Sequence, residues 1–311
     1  MPSTTTITST YAGEFAGQYI AAALLSASTI DGGGITVKPN IKYKEVIKKV
    51  ATDTNIIKDA TCDFTDTGAI TLTERILAPE QFQVNLSLCK ADFISDWSAA
   101  EMGYSSHDNL PSSFSDFLIA HVAGLVAEKT EQTIWHGANA TAGEFDGIVT
   151  LATADSDVID VVGTTVTAAN VIAELGKVVD AIPSALYGKS DLTLYVAQNV
   201  YRAYVRALGG FGASGLGAAG VDAKGTNQAI DAAYFDGVKV MMVQGLNDDY
   251  MVAAQSSNLF FGTGLLNDTN DVRVLDMADK DGSDNVRVIM RWSAAVQIGV
   301  GSELVLYTPV D

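Results

Sequence analysis

The sequence predicts an α+β fold, in which helices and strands occupy partly separate stretches of the chain. Three observations lead to this prediction. Residues 113–136 have the apolar spacing of one long helix, residues 35–90 contain segments that alternate between apolar and polar side chains, and the C-terminal part carries short strand-like segments between turn residues. At 311 residues, the chain is long enough for two domains, or for one domain with long excursions.

The segment 113–136 is predicted to be one uninterrupted helix, because it contains no proline. Ser113 followed by Asp116 resembles a capping box, which satisfies free amides in the first turn. Apolar side chains that recur every three or four residues are expected to share one face: Phe114, Leu118, Val122, Leu125 and Val126. Such a helix is roughly 35 Å long, close to the diameter of a domain. We call it the spine helix.

The N-terminal residues 1–10 are small and polar, which predicts an arm that folds only against a partner. A short helix is expected from about residue 13 to residue 26, ended by the glycines of 31–34. From Ile35 to Lys44 the apolar period becomes two, which predicts a long strand with one basic face. Further strands are predicted at 69–77 and 81–89.

These strands have few large aromatic residues, so they are expected to form an extended hairpin that must lie on something else, for example another copy of the chain. The region is also basic, whereas the whole chain has a net charge of -18. Its lysines are either a solvated strand face that protects an edge or an intersubunit contact with an acidic neighbour. The candidate contact residues are Lys38, Lys42, Lys44, Lys48 and Lys49, with Lys58 close by.

After the spine helix, a glycine-containing loop at 137–148 precedes alternating strands and helices. Strands are predicted at 157–162 and 191–197, and helices at 167–182 and 199–208. Residues 209–220 are glycine-rich and are predicted to be a loop. The chain is predicted to end as sheet, with strands at 237–243, 249–254, 258–262, 272–277, 286–292 and 303–308.

Composition argues against several classes of function. The negative charge disfavours binding to nucleic acid phosphates and to anionic membranes. The apolar run at 19–25 is too short to cross a bilayer, and no basic residue precedes Lys38, so a secretory signal is not expected. Cys62 and Cys89 are interpreted as two buried thiols in a reducing cytoplasm.

No motif of a catalytic, cofactor or metal site stands out. Gly215, Gly217 and Gly220 match GxGxxG, but a helix precedes them where a dinucleotide site needs a strand. Residues 279–285 lack the flanking helices and final glutamate of a calcium loop. His107, His121 and His136 have no ligand spacing, and His121 is expected to be a polar core or interface residue. No GxSxG elbow is present, so no catalytic residue, cofactor or metal is predicted.

Three segments, in this order and spacing, carry a family resemblance: ITVKPNIKYKEVIKKV at 35–50, TLTERILAPEQFQVNLSLCKADF at 71–93 and IWHGANATAGEFDGI at 134–148. Together with the predicted elements, they make the chain resemble the major capsid proteins of tailed bacteriophages with the Hong Kong 97 fold. The resemblance extends over nearly the whole chain. It implies an N-terminal arm at 1–34, an extended hairpin loop at 35–90, a peripheral domain at 91–151 and 286–311, and an axial domain at 152–285.

The resemblance further implies a structural role rather than an enzymatic one. Copies of the chain would assemble into hexamers and pentamers of an icosahedral shell around double-stranded DNA, in the virion, after assembly in the host cytoplasm. Portal, scaffold and decoration proteins are the implied partners, without sequence-specific DNA contacts. Some members carry a scaffolding segment before the arm, and here a separate scaffold protein or none is expected. The alternatives are an encapsulin-like nanocompartment and a soluble α+β enzyme.

Overall fold

The computed structural model describes residues 28–52, 57–60, 62, 68–89, 112–207, 233–264, 273–277, 283 and 285–310. The helices are α1 Ser28–Asp31, α2 Ser112–His136, α3 Ile148–Ala154, α4 Val171–Asp180 and α5 Gln198–Ala207. The strands are β1 Thr36–Lys38, β2 Glu45–Thr52, β3 Ile70–Leu77, β4 Glu80–Cys89, β5 Ile159–Thr164, β6 Leu192–Val196, β7 Ala233–Phe235, β8 Val238–Met242, β9 Met251–Gln255, β10 Leu259–Thr263, β11 Arg273–Asp276, β12 Asn285–Ile298 and β13 Val305–Val310. The prediction of a mixed helix and sheet protein is confirmed.

The spine helix is α2, and its 25 residues are one continuous helix, as predicted. Its buried stripe includes Val122, Ala123, Val126 and Ala127, at the spacing that places them on one side. Leu125 was expected on this stripe, but its side chain is 53% exposed. Leu125 lies beside the stripe rather than on it, because the buried positions are 122 and 123 in one turn and 126 and 127 in the next.

A five-stranded sheet is organised around β12, which has 14 residues. One side of β12 pairs with β11 near its start and with β10 near its end, and β10 also pairs in parallel with β1. The other side pairs with β4 over ten residues. The prediction placed strand 81–89 in a hairpin with its sequence neighbours, whereas β4 belongs to this sheet.

The second sheet has six strands in the order β5-β13-β9-β6-β8-β7. The central strands β6 and β9 are buried at every position, which explains their apolar sequences. Helices α4 and α5 carry buried stripes that belong to the same core, for example Leu175 and Val200. The turn between β7 and β8 has positive φ at Asp236 and Gly237, as a type I′ hairpin turn requires.

Strands β2 and β3 form a separate two-stranded antiparallel ribbon. The expected long strand over 35–44 is wrong, because β1 ends at Lys38 and β2 begins at Glu45. Between them, Pro39 precedes Asn40, which adopts a left-handed conformation with φ 67° and ends the extended chain. Lys38, Lys42 and Lys44, which were predicted to share one strand face, are therefore divided between β1 and the connection that follows it.

The predicted pair of buried thiols is correct for Cys89 only, since Cys62 is exposed. Cys62 lies in the connection between β2 and β3. Several predictions lie outside the described residues: the arm at 1–10, the helix at 13–26, the glycine-rich loop at 209–220, most of the segment 279–285, and His107. The side chains of the first turns of the spine helix, including Ser113 and Asp116, lie outside them as well.

Candidate intersubunit surface

The ribbon formed by β2 and β3 presents an exposed apolar face. Residues that are opposite each other in an antiparallel ladder point to the same side, so Val46 and Ile76 share a face with Val50 and Leu72. Between these two apolar pairs lie Lys48 and Glu74, which are cross-strand partners of opposite charge. We call these six residues the ribbon outer face: Val46, Lys48, Val50, Leu72, Glu74 and Ile76.

The exposure of this face is unusual for such side chains. Val50 and Leu72 are each 63% exposed, and Ile76 is 47% exposed. A two-stranded ribbon is marginal in water unless a face of it is packed against something. The ribbon outer face therefore has the character of a surface that is covered by another molecule.

The end of the ribbon near Leu77, which we call its root, is attached to its own subunit. Leu77 is fully buried in a cluster with Ile41 and Ala295. The side-chain amide of Gln297 in β12 donates to the carbonyl of Ile76 across 3.0 Å. The guanidinium of Arg75, on the opposite side of the ribbon from the outer face, donates to the carboxylate of Asp155. The end of the ribbon at Leu77 is thus fixed to the subunit.

The structure separates the five candidate lysines. Lys38 is paired with Glu45 and lies 5.0 Å from the centre of the Phe260 ring, so its charge is matched within its own chain. Lys42 and Lys44 are exposed in the connection between β1 and β2. Lys48 lies on the ribbon outer face, and Lys49 lies on the other side of the ribbon. Their predicted role as intersubunit contacts stays a prediction.

A second apolar surface lies between the spine helix and strand β4. It is an open groove of about 520 Å³. Its apolar lining is Phe82, Val84, Leu86, Val122, Leu125, Val126, Phe145 and Trp292. The Phe82 ring packs 6.0 Å from those of both Phe145 and Trp292, which gives the groove a floor of aromatic side chains. The exposure of Leu125, unexpected from the helix pattern, places it on the wall of this groove.

A smaller polar cavity of about 240 Å³ lies at the C-terminal end of the spine helix. There the Nε2 atom of His136 accepts a hydrogen bond from the backbone N–H of Asn247 across 3.0 Å. Burial lowers the pKa of His136 to about 4, so the ring is neutral near pH 7. The hydrogen bonds from Lys129 and from the Ala138 N–H lower the pKa of Glu144. His121 was expected in the core or in an interface; its exposure in the single chain contradicts the core, and a position in an interface stays a prediction.

The described residues include neither a cluster of metal-ligating side chains nor a membrane-spanning helix. Within those ranges, no three histidine, cysteine, aspartate or glutamate side chains converge as a metal site would need. Of the described helices, none has the length and apolar character of a membrane span.

Sequence reasoning missed the residues that make the ribbon a candidate contact surface. It selected lysines by their density, whereas the apolar side chains of β2 and β3 form most of the exposed face. The signal was present, because Leu72 and Ile76 alternate with Thr71, Thr73 and Arg75. What the sequence did not reveal is which of the two alternating faces lacks a cover.

No family model matches the sequence, and neither does any curated protein. Solved structures do match. The procapsid of satellite phage P4, described with its size determination protein, has a TM-score of 0.57 at 10% identity, covering 94% of this chain and 99% of that chain. The capsid of the myovirus XM1 has a TM-score of 0.56 at 12% identity, covering 91% and 92%.

A virus-like particle from Pyrococcus furiosus also matches, with a TM-score of 0.51 at 10% identity, covering 94% of this chain and 98% of that chain. These identities are too low to carry residue roles from one chain to another. The structural matches extend over more than nine tenths of each chain, so the likeness concerns the whole architecture. The resemblance to phage capsid proteins that the sequence suggested is confirmed for the fold: this chain has the fold of the subunits that build phage capsids.

Proposed function

We propose that the protein is a structural shell protein, the major capsid protein of a tailed phage with a Hong Kong 97-type fold. The observation that carries this proposal is a capsid fold whose ribbon leaves an apolar face uncovered in the single chain. In a shell, that face is covered by the next copy. The proposed division of the chain is an arm at 1–34, a loop at 35–90, a peripheral domain at 91–151 and 286–311, and an axial domain at 152–285.

Two different apolar surfaces favour rings over simple dimers. The ribbon outer face and the groove between the spine helix and β4 are separate parts of one chain. When one surface of a copy docks on a different surface of the next, the contact is head-to-tail, and such contacts form a ring where the rotation between copies closes and an open filament where it does not. We infer that the ribbon of one copy lies on the groove side of its neighbour. We propose that the rings built by this contact are the hexamers and pentamers of a closed shell.

Charge opposes assembly and the ribbon region offsets part of that opposition. Each copy carries a net charge of -18, so copies repel one another. Lys42, Lys44 and Lys48 are exposed in and beside the ribbon and bring positive charge to the contact. We propose that these lysines face acidic side chains of the neighbouring copy. The DNA inside the shell would be enclosed without sequence-specific contacts, and scaffold, portal and decoration proteins are the expected partners.

The test is electron microscopy of the purified protein, expressed with its neighbouring genes, beside a Val50→Ser, Leu72→Ser variant. The unaltered protein is expected to form closed shells. The variant is expected to keep its melting temperature, because both side chains are exposed, and to lose most of its shells. Thr73→Ser on the opposite side of the same strand is the matched control and should assemble normally. Small oligomers from the unaltered protein would refute the shell proposal.

The second candidate is a nanocompartment shell that encloses protein cargo, and the likeness to the Pyrococcus furiosus virus-like particle supports a shell of either kind. Both candidates predict shells, so the contents distinguish them. Particles isolated with the neighbouring genes should contain double-stranded DNA if the protein belongs to a virion. Particles that contain an enzyme and no DNA would support the compartment instead. A soluble enzyme would form neither kind of particle.

A further inference from the structure

The ribbon meets the segment that leads into the six-stranded sheet at one ion pair. Arg75 lies in β3 on the side opposite the ribbon outer face, and Asp155 follows the last residue of α3, four positions before β5. The Arg75 guanidinium donates to Oδ2 of Asp155. Their side chains are 28% and 16% exposed, so water screens this pair less than it would a fully exposed one.

The position of the Asp155 carboxylate is set by its surroundings. Its Oδ1 accepts a hydrogen bond from the N–H of Asp157 across 3.1 Å. A Cβ added at Gly301 would lie 2.4 Å from Oδ2 of Asp155, so a larger residue there would have to displace the carboxylate. Burial alone would raise the pKa of Asp155, but the hydrogen bonds from Arg75 and Asp157, together with the positive charge of Lys49, hold it below its usual value. The carboxylate is therefore held in place and charged.

A ribbon of two strands has no core of its own, so its orientation depends on contacts at its root. Leu77 and Ile47, the Gln297 hydrogen bond and the ion pair between Lys38 and Glu45 attach the root to the five-stranded sheet. Asp155 approaches from a different part of the chain. Attachments to one sheet at one end would leave the ribbon free to turn about Leu77, whereas an attachment to a different part of the chain limits this rotation.

We propose that Asp155 and Arg75 form a clasp that sets the angle of the ribbon relative to its own subunit. With the clasp closed, the ribbon points in one direction. With the clasp open, the ribbon turns about its buried root. The consequence for assembly rests on the proposed function: the clasp determines where the ribbon outer face is presented to the next copy. The clasp itself is a property of a single chain.

The test measures the ribbon angle by double electron–electron resonance. Cys62 is exposed and lies between β2 and β3, whereas Cys89 is buried, so a nitroxide can be attached selectively to Cys62. A second label on Arg202→Cys reports from the exposed face of α5. The eight-residue strands are about 27 Å long, so a rotation of about 10° at the root moves the far end by about 5 Å. Labelled chains are diluted with unlabelled protein, so that only distances within one chain contribute.

Asp155→Asn is expected to shift or broaden the distance distribution by about 5 Å or more. Arg75→Met should do the same, and the double variant should match either single variant, because one contact is lost in all three. Lys129→Met, which removes the ion pair with Glu144 at the spine helix, is the control and should leave the distribution unchanged. Melting curves confirm that each variant is folded.

An unchanged distribution in folded Asp155→Asn protein would overturn the clasp. This outcome differs from failure of the proposed function, because the measurement concerns single chains and does not require shells. A protein that never forms shells but responds to Asp155→Asn would refute the shell proposal and leave the clasp. If shells form normally and Asp155→Asn leaves the distance distribution unchanged, the clasp is refuted and the shell proposal stands.

Discussion

Gly163 in β5 lies directly against the ring of Tyr307 in β13: a Cβ added at Gly163 would lie 2.0 Å from the tyrosine hydroxyl oxygen. That hydroxyl is within 2.8 Å of both the Thr164 carbonyl and the Glu174 carboxylate. Burial, with the Glu174 carboxylate beside it, raises the pKa of Tyr307, so the hydroxyl remains a donor. The parallel pair β5 and β13 is thus joined by a polar contact that only glycine permits.

Gly163→Ala is accordingly expected to destabilise the protein by about 1–3 kcal/mol, because the added methyl group must displace the Tyr307 ring. Gly176→Ala is the matched control. Gly176 lies within α4, nothing comes within 4 Å of an added Cβ there, and alanine favours the helix by roughly 0.5–1 kcal/mol. Urea unfolding of both variants measures the two effects. Equal stability of the two variants would contradict the contact.

Thr29 connects the start of the described chain to the spine helix. Its hydroxyl donates to the buried carboxylate of Glu131 and accepts from the indole N–H of Trp135 across 2.8 Å. Thr29→Val keeps the shape but leaves the indole without this acceptor, at a cost of about 1–3 kcal/mol. Glu131 loses the hydroxyl donor and keeps the hydrogen bond from the Thr29 N–H. Thr29→Ser keeps the hydroxyl and should retain most of the stability. Denaturant unfolding measures the free energy of unfolding of both variants. A valine variant as stable as the serine variant would refute a stabilising role of the Thr29 hydroxyl.

His136 predicts a pH dependence of stability. Its pKa is about 4 in the folded chain and about 6.5 when unfolded, so the unfolded chain binds more protons between these values. The contribution of His136 is therefore complete above about pH 6.5 and is lost as the pH falls towards 4. With solvent screening it is on the order of 1–2 kcal/mol. Nuclear magnetic resonance of the His136 ring should show a midpoint near pH 4, and a midpoint near 6.5 would contradict the burial argument.

Lys42 and Lys44 test the charge part of the shell proposal. Changing both to glutamate should leave the fold intact, because both side chains are exposed, but should reduce the yield of shells, with partial recovery at high salt. The control, Arg202→Glu with Arg206→Glu on α5, changes the net charge by the same amount at another exposed site. Light scattering and electron microscopy measure the yield. An equal loss of shell yield in both variants would mean that only net charge matters. A normal yield from the lysine variant would mean that these lysines are a solvated strand edge and not an intersubunit contact.

The elements that could be predicted from sequence are those with a local pattern. The spine helix and strands such as β8 and β10 were placed within a few residues, because their apolar periods are complete within each segment. The helix α3 was missed, since seven apolar and small residues show no clear period. Strand β12 proved longer than predicted because Ala294, Ala295 and Val296 are all buried and do not alternate.

The candidate surface was less predictable than the fold, because it depends on contacts between distant parts of the chain. The lysine density around residues 38–49 was visible, but Asn40 divides that segment and Lys38 finds a partner in Glu45. The contact between Arg75 and Asp155 joins residues 80 positions apart and leaves no local trace. Nor does a sequence show that strand β4 pairs with β12 instead of with its neighbours.

The pairing of β4 with β12 also has a consequence for the time course of synthesis. The ribbon strands β2 and β3 are close in sequence and can pair as soon as both have left the ribosome. Strand β4 must wait for a partner that lies about 200 residues further along the chain, a delay of about 10–40 s at usual rates of translation. Strand β1 waits similarly for β10. During this interval the ten residues of β4 are an unpaired strand edge on a nascent chain, and contact between chains on neighbouring ribosomes would compete with folding.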